Sequence, residues 1–256
     1  MLRPLKILAV VLMVLLIVAG VLAWTLPADV AYRYAHGYFS PVTLSGISGT
    51  VWDGHADGVS ALGRDLGEIN WRLDKSALLH RQLLADLRIQ GADVDVAGSL
   101  MRNADGSVVA RDLRFRFPAA LVEPVLDIPN LTLLGTIGGV LKQATLVNGF
   151  LHGARGTARW TDAGVSGQAE ARFADILAEF SSQPDGSIVG TVHDDGSGNL
   201  AVDGSFSVRL EGYDAVATLT ARNNDPQVLE TLRYVGQLQP DGSSKLVIHG
   251  RLFKLY

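Results

Sequence analysis

Runs of alternating apolar and polar residues, punctuated by five Asp-Gly-Ser triplets, constrain this chain more than any other feature. The triplets begin at Asp105, Asp185, Asp195, Asp203 and Asp241. Asp-Gly closes tight hairpins because glycine takes the positive φ that such turns require. Elsewhere Leu113, Phe115 and Phe117 alternate with Arg114 and Arg116. Phe206, Val208 and Leu210 keep the same period, as do Leu246 and Ile248. A period of two marks a strand with one buried face. Around Gly91 the apolar parity flips, from Leu87 and Ile89 to Val94 and Val96. Either a hairpin turns there or a bulge inserts one residue. The pattern predicts a mainly β fold, an open, curled sheet of twisted antiparallel strands laid out as a long meander, with the triplets at its hairpin turns.

Helices are predicted to be few and short, two or three in all. Residues 76–84 carry Leu78, Leu79, Leu83 and Leu84 at helical spacing, and residues 118–126 hold another short candidate. The clearest starts at Asp225, a natural N-cap, with Pro226 at the first helical position and Gly236 as the stop. Its Val228, Leu229, Leu232 and Val235 share one face. Gly49-Thr50-Val51-Trp52-Asp53-Gly54 has a partial echo in Gly156-Thr157-Ala158-Arg159-Trp160, so a twofold repeat with halves 27–150 and 151–256 is one reading.

The N-terminus sets the expected compartment. Residues 7–26 form a run of 20 without a charged residue, His, Asn or Gln. A helix of that length spans about 30 Å, the thickness of a bilayer core. Arg3 and Lys6 precede the run, no acid appears before Asp29, and Trp24 falls where an interfacial aromatic would sit. By the positive-inside rule, residues 1–6 stay in the cytoplasm, 7–26 anchor the chain in a membrane, and 27–256 form an exported β-rich domain. A signal peptide cleaved after Val21-Leu22-Ala23 is the competing reading, although the apolar run is longer than the ~7–15 residues usual for one. Setting Arg3 and Lys6 aside leaves 20 of the 22 basic groups against 26 acidic ones, a balance of −6. Such a domain faces solvent rather than lying on an anionic surface.

Composition then excludes whole classes of chemistry. With 256 residues, 48% of them apolar, the chain is long enough and greasy enough to fold. No cysteine is present, which removes disulfides, thiol catalysis and Cys-ligated metals. A net charge of −4 argues against nucleic acid as a partner. The six histidines (His36, His55, His80, His152, His193 and His249) show no metal-ligand spacing, and no nucleophile elbow or phosphate loop occurs. His193-Asp194-Asp195-Gly196-Ser197 lacks the alternating carboxylates and distal Glu of a calcium loop. Asp93 and Asp95 share a strand face but are expected to meet water, opposite Val94 and Val96. No catalytic residue, metal or cofactor is therefore expected, and the protein is read as a non-enzyme. Trp52, Trp71 and Trp160, with Leu229 and Leu232, are the candidate interaction or core anchors.

An ordered series of short segments resembles the type II secretion system protein N family. It runs from the apolar N-terminus and Leu26-Pro27-Ala28 through Ser48-Gly49-Thr50-Val51-Trp52-Asp53-Gly54. Asn70-Trp71-Arg72-Leu73 then leads into Leu78-Leu79, and Gly156-Thr157-Ala158-Arg159-Trp160 opens the second half. Arg222-Asn223-Asn224, Leu229, Leu232, Gly236, Asp241-Gly242 and Gly250-Arg251-Leu252 close the series. The resemblance implies an accessory, single-pass inner-membrane component of the machine that exports folded proteins across the outer membrane. It puts the anchor, 7–26, in the inner membrane and the β-rich domain, 27–256, in the periplasm, with other secretion components as partners. It implies no catalytic residues. The alternative is an envelope protein similar to the AsmA-like kind, binding lipid or another apolar molecule in a groove of the sheet.

Overall fold

Every described strand pairs antiparallel with its neighbours, and almost every neighbour is the next strand in the chain. The computed structural model describes residues 24–38, 42–61, 63–123, 131–167, 171–209 and 212–250. The strands are β1 (Val42–Gly49), β2 (Asp53–Ala61), β3 (Arg64–Asp74), β4 (Leu83–Gln90) and β5 (Asp95–Arg102). There follow β6 (Val108–Pro118), β7 (Leu131–Val147), β8 (Phe150–Gly167), β9 (Ala171–Arg172) and β10 (Ile176–Ser182). The last are β11 (Ile188–Asp194), β12 (Leu200–Arg209), β13 (Gly212–Ala221), β14 (Gln237–Leu238) and β15 (Ser244–Gly250). They form one sheet, a meander from β1 to β13 in which only β9 is displaced, to pair with β8, while β15 lies between β13 and β14. The sheet passes unbroken through the β7–β8 pair, so both segments of the sequence echo lie in it. Gly49 to Gly54 makes the β1–β2 turn, whereas Gly156 to Trp160 lies within β8.

The register sorts side chains onto two faces. Leu87 and Ile89 of β4 oppose Gly98 and Val96 of β5, and Phe115 and Phe117 of β6 oppose Gly139 and Ile137 of β7. Val202 opposite Leu219 and Ala217 opposite Leu246 continue the same apolar face to the far edge. Arg88, Arg114 and Arg116 alternate onto the other face. The flip at Gly91 is a hairpin: its N–H donates to the Val94 carbonyl at 2.7 Å, and Ile89 and Val96 pair across it.

Five aromatic side chains of the apolar face follow one rule. Trp71, Phe115, Phe180, Phe206 and Tyr213 each pair with a glycine on the adjoining strand: Gly54, Gly139, Gly156, Gly190 and Gly250 respectively. A Cβ on any of these glycines would press into the ring opposite. Glycine therefore lets each ring lie flat along the sheet instead of standing away from it.

Turn chemistry fixes the hairpins. At Asp105, Asp185, Asp195 and Asp241 the carboxylate accepts the N–H and the hydroxyl of the serine two residues on. Those paired bonds stabilise the ionised form, so each carboxyl sits below the ordinary carboxylate range. The glycines between them have φ of +85, +82, +86 and +83°. The fifth triplet departs from expectation. Asp203-Gly204-Ser205 lies inside β12, where a Cβ at Gly204 would come within 2.8 Å of both Ala217 Cβ and the Val216 carbonyl. There the glycine serves close strand packing, and no turn forms.

Two α-helices are described, α1 (Ala28–Ala35) and α2 (Pro226–Leu232), with four 3-10 segments. α2 is built as the sequence indicates. Asp225 accepts from the Gln227 and Val228 amides, Pro226 occupies the first turn, and Gly236 follows at φ +83°. The helix predicted over residues 76–84 is instead a 3-10 turn, Ser76–His80, and Leu83 and Leu84 begin β4. Pairing of Leu84 with Asp74 across β3 extends the sheet where a helix would have ended it. Over 118–126 a 3-10 turn covers Ala119–Val122, and 124–126 lie outside the described residues.

Buried side chains gather on the apolar face of the later strands. Val228 and Leu232 of α2 pack on Leu200, Val202 and Leu219. Each such side chain contributes roughly 1.5–3 kcal/mol when fully buried. Ala110, Ala144, Ala154 and Ile188 form a second cluster, and Ala119, Leu133 and Val165 a third.

Candidate functional site

The apolar face of β7 to β15, with α2 laid against it, encloses a cavity of about 380 Å³. Trp160 and Phe173 line it at the β8–β9 end, Phe206 on β12, and Leu232 and Val235 under the helix, with Leu246 from β15. Since β7 and β15 both contribute to its wall, the sheet curls around it. Gly204, Ala215 and Ala217 make the floor, and their small size is what leaves the space open. Phe206 lies tilted against Phe180, with ring centroids 6.3 Å apart.

An ion pair holds the loop at one end of the cavity-bearing strands. Asp194, 6% exposed, accepts from Arg222 Nη1 at 2.6 Å and from the Val202 and Gly196 amides at 2.8 Å. Burial pushes its carboxyl up, but these three donors outweigh that and hold it below the ordinary carboxylate range. Arg222 Nη1 also reaches the Gly198 and Leu200 carbonyls.

The opposite face is polar and carries a broad, open groove of about 780 Å³, lined among others by Lys142, Arg155, Glu179 and Asp214. Beside it, Arg88, Arg111, Arg114, Arg116 and Arg155 stand exposed on β4, β6 and β8. Ser99 opposes Arg111, Gln143 opposes both Arg111 and Arg155, and Asp95 opposes Arg116. None of these five arginines forms an ion pair with a described residue.

The sequence-predicted anchors are dispersed. Trp71 donates from Nε1 to the Val51 carbonyl at 3.0 Å, and Trp160 to the Leu134 carbonyl at 2.6 Å. Both rings are half-buried on the apolar face. Trp52 is half-buried in the β1–β2 turn, its carbonyl accepting the Leu73 amide at 2.8 Å. Leu232 is buried under α2 and Leu229 is half-buried beside it. Trp160 and Leu232 thus meet at the cavity, while Trp52 and Trp71 lie at the other end of the sheet. Trp24 is 63% exposed, with Lys75 Nζ 3.5 Å from its ring centroid and 5.5 Å from that of Trp52. Arg3, Lys6 and all but the last three residues of the apolar run 7–26 lie outside the described residues. Among the described residues no helix is long and apolar enough to cross a membrane.

Asp93 is exposed in the β4–β5 turn, and Asp95 sits on the polar face facing Arg116 across β6. His55 is held by two neighbours. Its Nδ1 meets Asn70 at 3.0 Å and its Nε2 meets Asp57 at 3.1 Å, and these partners raise its pKa. No three metal-ligating side chains converge among the described residues. Sequence reasoning raised an apolar groove of the sheet only as an alternative and did not place it, and it missed the glycine beneath each of these flat aromatic rings. A signal for the latter was present, since five aromatics and five glycines stand at mutually paired positions, but it requires the register.

The architecture defines a class: a single open antiparallel sheet, apolar on one face and polar on the other. Comparison of the sequence with known proteins narrows this. The family profile "Type II secretion system (T2SS), protein N" matches residues 40–247, and the chain belongs to that family. A similar relative is the Type II secretion system protein N of Vibrio cholerae serotype O1, strain ATCC 39315 / El Tor Inaba N16961. It is 30% identical over 210 residues, covering 79% of this chain and 81% of the relative. No solved structure matches the chain significantly.

Proposed function

We propose that this chain is an accessory inner-membrane component of the type II secretion system. Residues 7–26 anchor it, residues 1–6 are cytoplasmic, and residues 27–256 work in the periplasm through contacts with other secretion components. The observation that carries this reading is the family match, which covers nearly all of the sheet. The arginines on the polar face support a role in protein contacts, because exposed, unpaired guanidinium groups suit carboxylate-bearing partners.

The test is a secretion assay in cells lacking the gene. Exported proteins are expected to build up in the periplasm. The full chain should restore export, while a chain without residues 1–26 should not. A full chain carrying Arg111→Glu and Arg114→Glu should restore it only weakly. Unchanged export in the deletion strain would remove the chain from the secretion machine.

A further inference from the structure

We propose that the cavity under α2 is a binding site for one hydrocarbon chain, the acyl tail of a lipid. This goes beyond the secretion role and does not rest on it. The argument comes from what the wall lacks. Its strands from β10 through β13 are paired on both sides, and β15 is paired along β13, so apart from the outer edge of β15 beyond Lys245 their backbone donors and acceptors are committed to one another. Two of the four polar or part-polar side chains that line it, the others being Ser205 and Tyr213, are turned to the backbone: Trp160 Nε1 bonds the Leu134 carbonyl and Thr231 Oγ1 the Gln227 carbonyl, the latter at 2.9 Å. Among the described residues, no buried side-chain nitrogen or oxygen lacks a partner.

A peptide in this space would bury its own amides and carbonyls without partners, at a cost of roughly 1–3 kcal/mol for each. A hydrocarbon chain brings no such groups. Water fits no better, because a void lined by carbon gives it nothing to bond and stays dry. At about 380 Å³ the volume falls in the usual range for small-ligand sites.

The floor and the walls are of opposite kinds, as a slot for a flexible chain requires. Gly204, Ala215 and Ala217 keep the floor low, and Phe206 lies flat against Gly190 instead of projecting into the slot. A larger residue at any floor position would be expected to fill it. The sequence places larger side chains on both flanks, with Trp160 and Phe173 on one side and Leu246 and Ile248 on the other.

The experiment uses the full chain, held in an amphipathic polymer so that no detergent competes. cis-Parinaric acid, whose fluorescence rises in an apolar environment, is titrated in. Saturable binding is expected. Ala215→Phe and Ala217→Phe, which fill the slot, should each weaken it by at least about tenfold. Thr218→Leu, on the opposite face of β13, should leave it unchanged. No saturable signal above polymer alone would overturn the proposal, as would equal binding by folded, slot-filled variants.

If the filled variants fail to fold, a photo-crosslinking benzoylphenylalanine at position 206 in living cells provides a second arm. Adducts with the mass of a phospholipid or a fatty acid, absent when the probe is at position 218, support the site and tell the two sources apart. Protein adducts, adducts within the chain, or none at all overturn it.

Discussion

The two ends of the sheet are built from the same alternation and the same aromatic-over-glycine pairing, yet they bury their apolar faces to very different degrees. At the first end Ala56 and Val59 of β2 are buried, but in β3, β4 and β5 no residue is, and Leu83 is 42% exposed. In β11 to β13, Ile188, Leu200, Val202 and Leu219 are all buried. The difference lies in what covers the face. α2 lies across the later strands and contributes Val228 and Leu232. α1 sits at the first edge, where the Tyr32 hydroxyl accepts the Leu44 amide at 2.9 Å. There it blunts an exposed strand edge and leaves the face of β3 to β5 open. An alternating strand supplies an apolar face, but a further element is needed to take that face out of water.

Substitutions can break this comparison. The largest effect is expected at Arg222. Arg222→Ala strands the buried Asp194 carboxylate and should destabilise the later strands by about 3–5 kcal/mol, read as a drop in the urea midpoint of Trp160 fluorescence. The matched change at the other end, Arg72→Ala, removes a 3.5 Å pair whose side chains are 74% and 69% exposed. It should cost no more than about 1 kcal/mol. A similar loss for both would mean that the Asp194 pair is no better shielded from water than the exposed one.

Next comes the covered face itself. Leu232→Ala should cost about 2–5 kcal/mol, because it opens a cavity among Leu200, Val202 and Leu219. Leu87→Ala, on the half-buried face of β4, should cost nearer about 1 kcal/mol. Equal costs would show that the first half of the face is also covered in the folded protein.

The same contrast explains how far the sequence could be read. Local signals worked where local chemistry decides the outcome: Asp225-Pro226 began α2, the flip at Gly91 marked a hairpin, and four Asp-Gly-Ser triplets closed turns. They failed where a partner strand decides. Asp203-Gly204-Ser205 has turn chemistry, but Gly204 is needed where β12 meets Ala217. Leu83 and Leu84 have helical spacing after Leu78 and Leu79, but β3 offers them a ladder. The cavity was illegible for the same reason. Its wall comes from strands more than a hundred residues apart in the chain, and its openness depends on which small residues share a face.

A smaller effect tests how α2 is held in place. Asp225→Ala removes the acceptor for the Gln227 and Val228 amides at the helix N-terminus. A loss of about 1 kcal/mol is expected. Faster amide exchange should appear in α2 and in the β12–β13 pair beneath it, with β3 and β4 unchanged. If β3 and β4 loosened as well, the cover would be supporting the whole sheet and not only the later strands.

The smallest expected effect belongs to the uncovered end, and it depends on pH. Asn70 and then Asp57 raise the pKa of His55, so folding favours the protonated ring. A raised folded value adds stability that is fully present below the unfolded pKa, near 6.5, and is lost as pH rises through the folded one. Wild type should therefore exceed His55→Gln slightly in urea midpoint at about pH 5.5, with the gap closing by about pH 8.5. Asp194 behaves oppositely. Its lowered pKa adds stability present above the unfolded value, near 3.9, and lost as pH falls through the folded one. Alkali thus releases a small contribution from β2 and β3, while acid releases a larger one from β11 and β12. Variants that keep Trp71 or Trp160 as the single tryptophan, the first near the β1 edge and the second at the cavity, let fluorescence report the two separately. A His55→Gln gap that persisted at about pH 8.5 would show that the ring acts at this end by packing and not by charge.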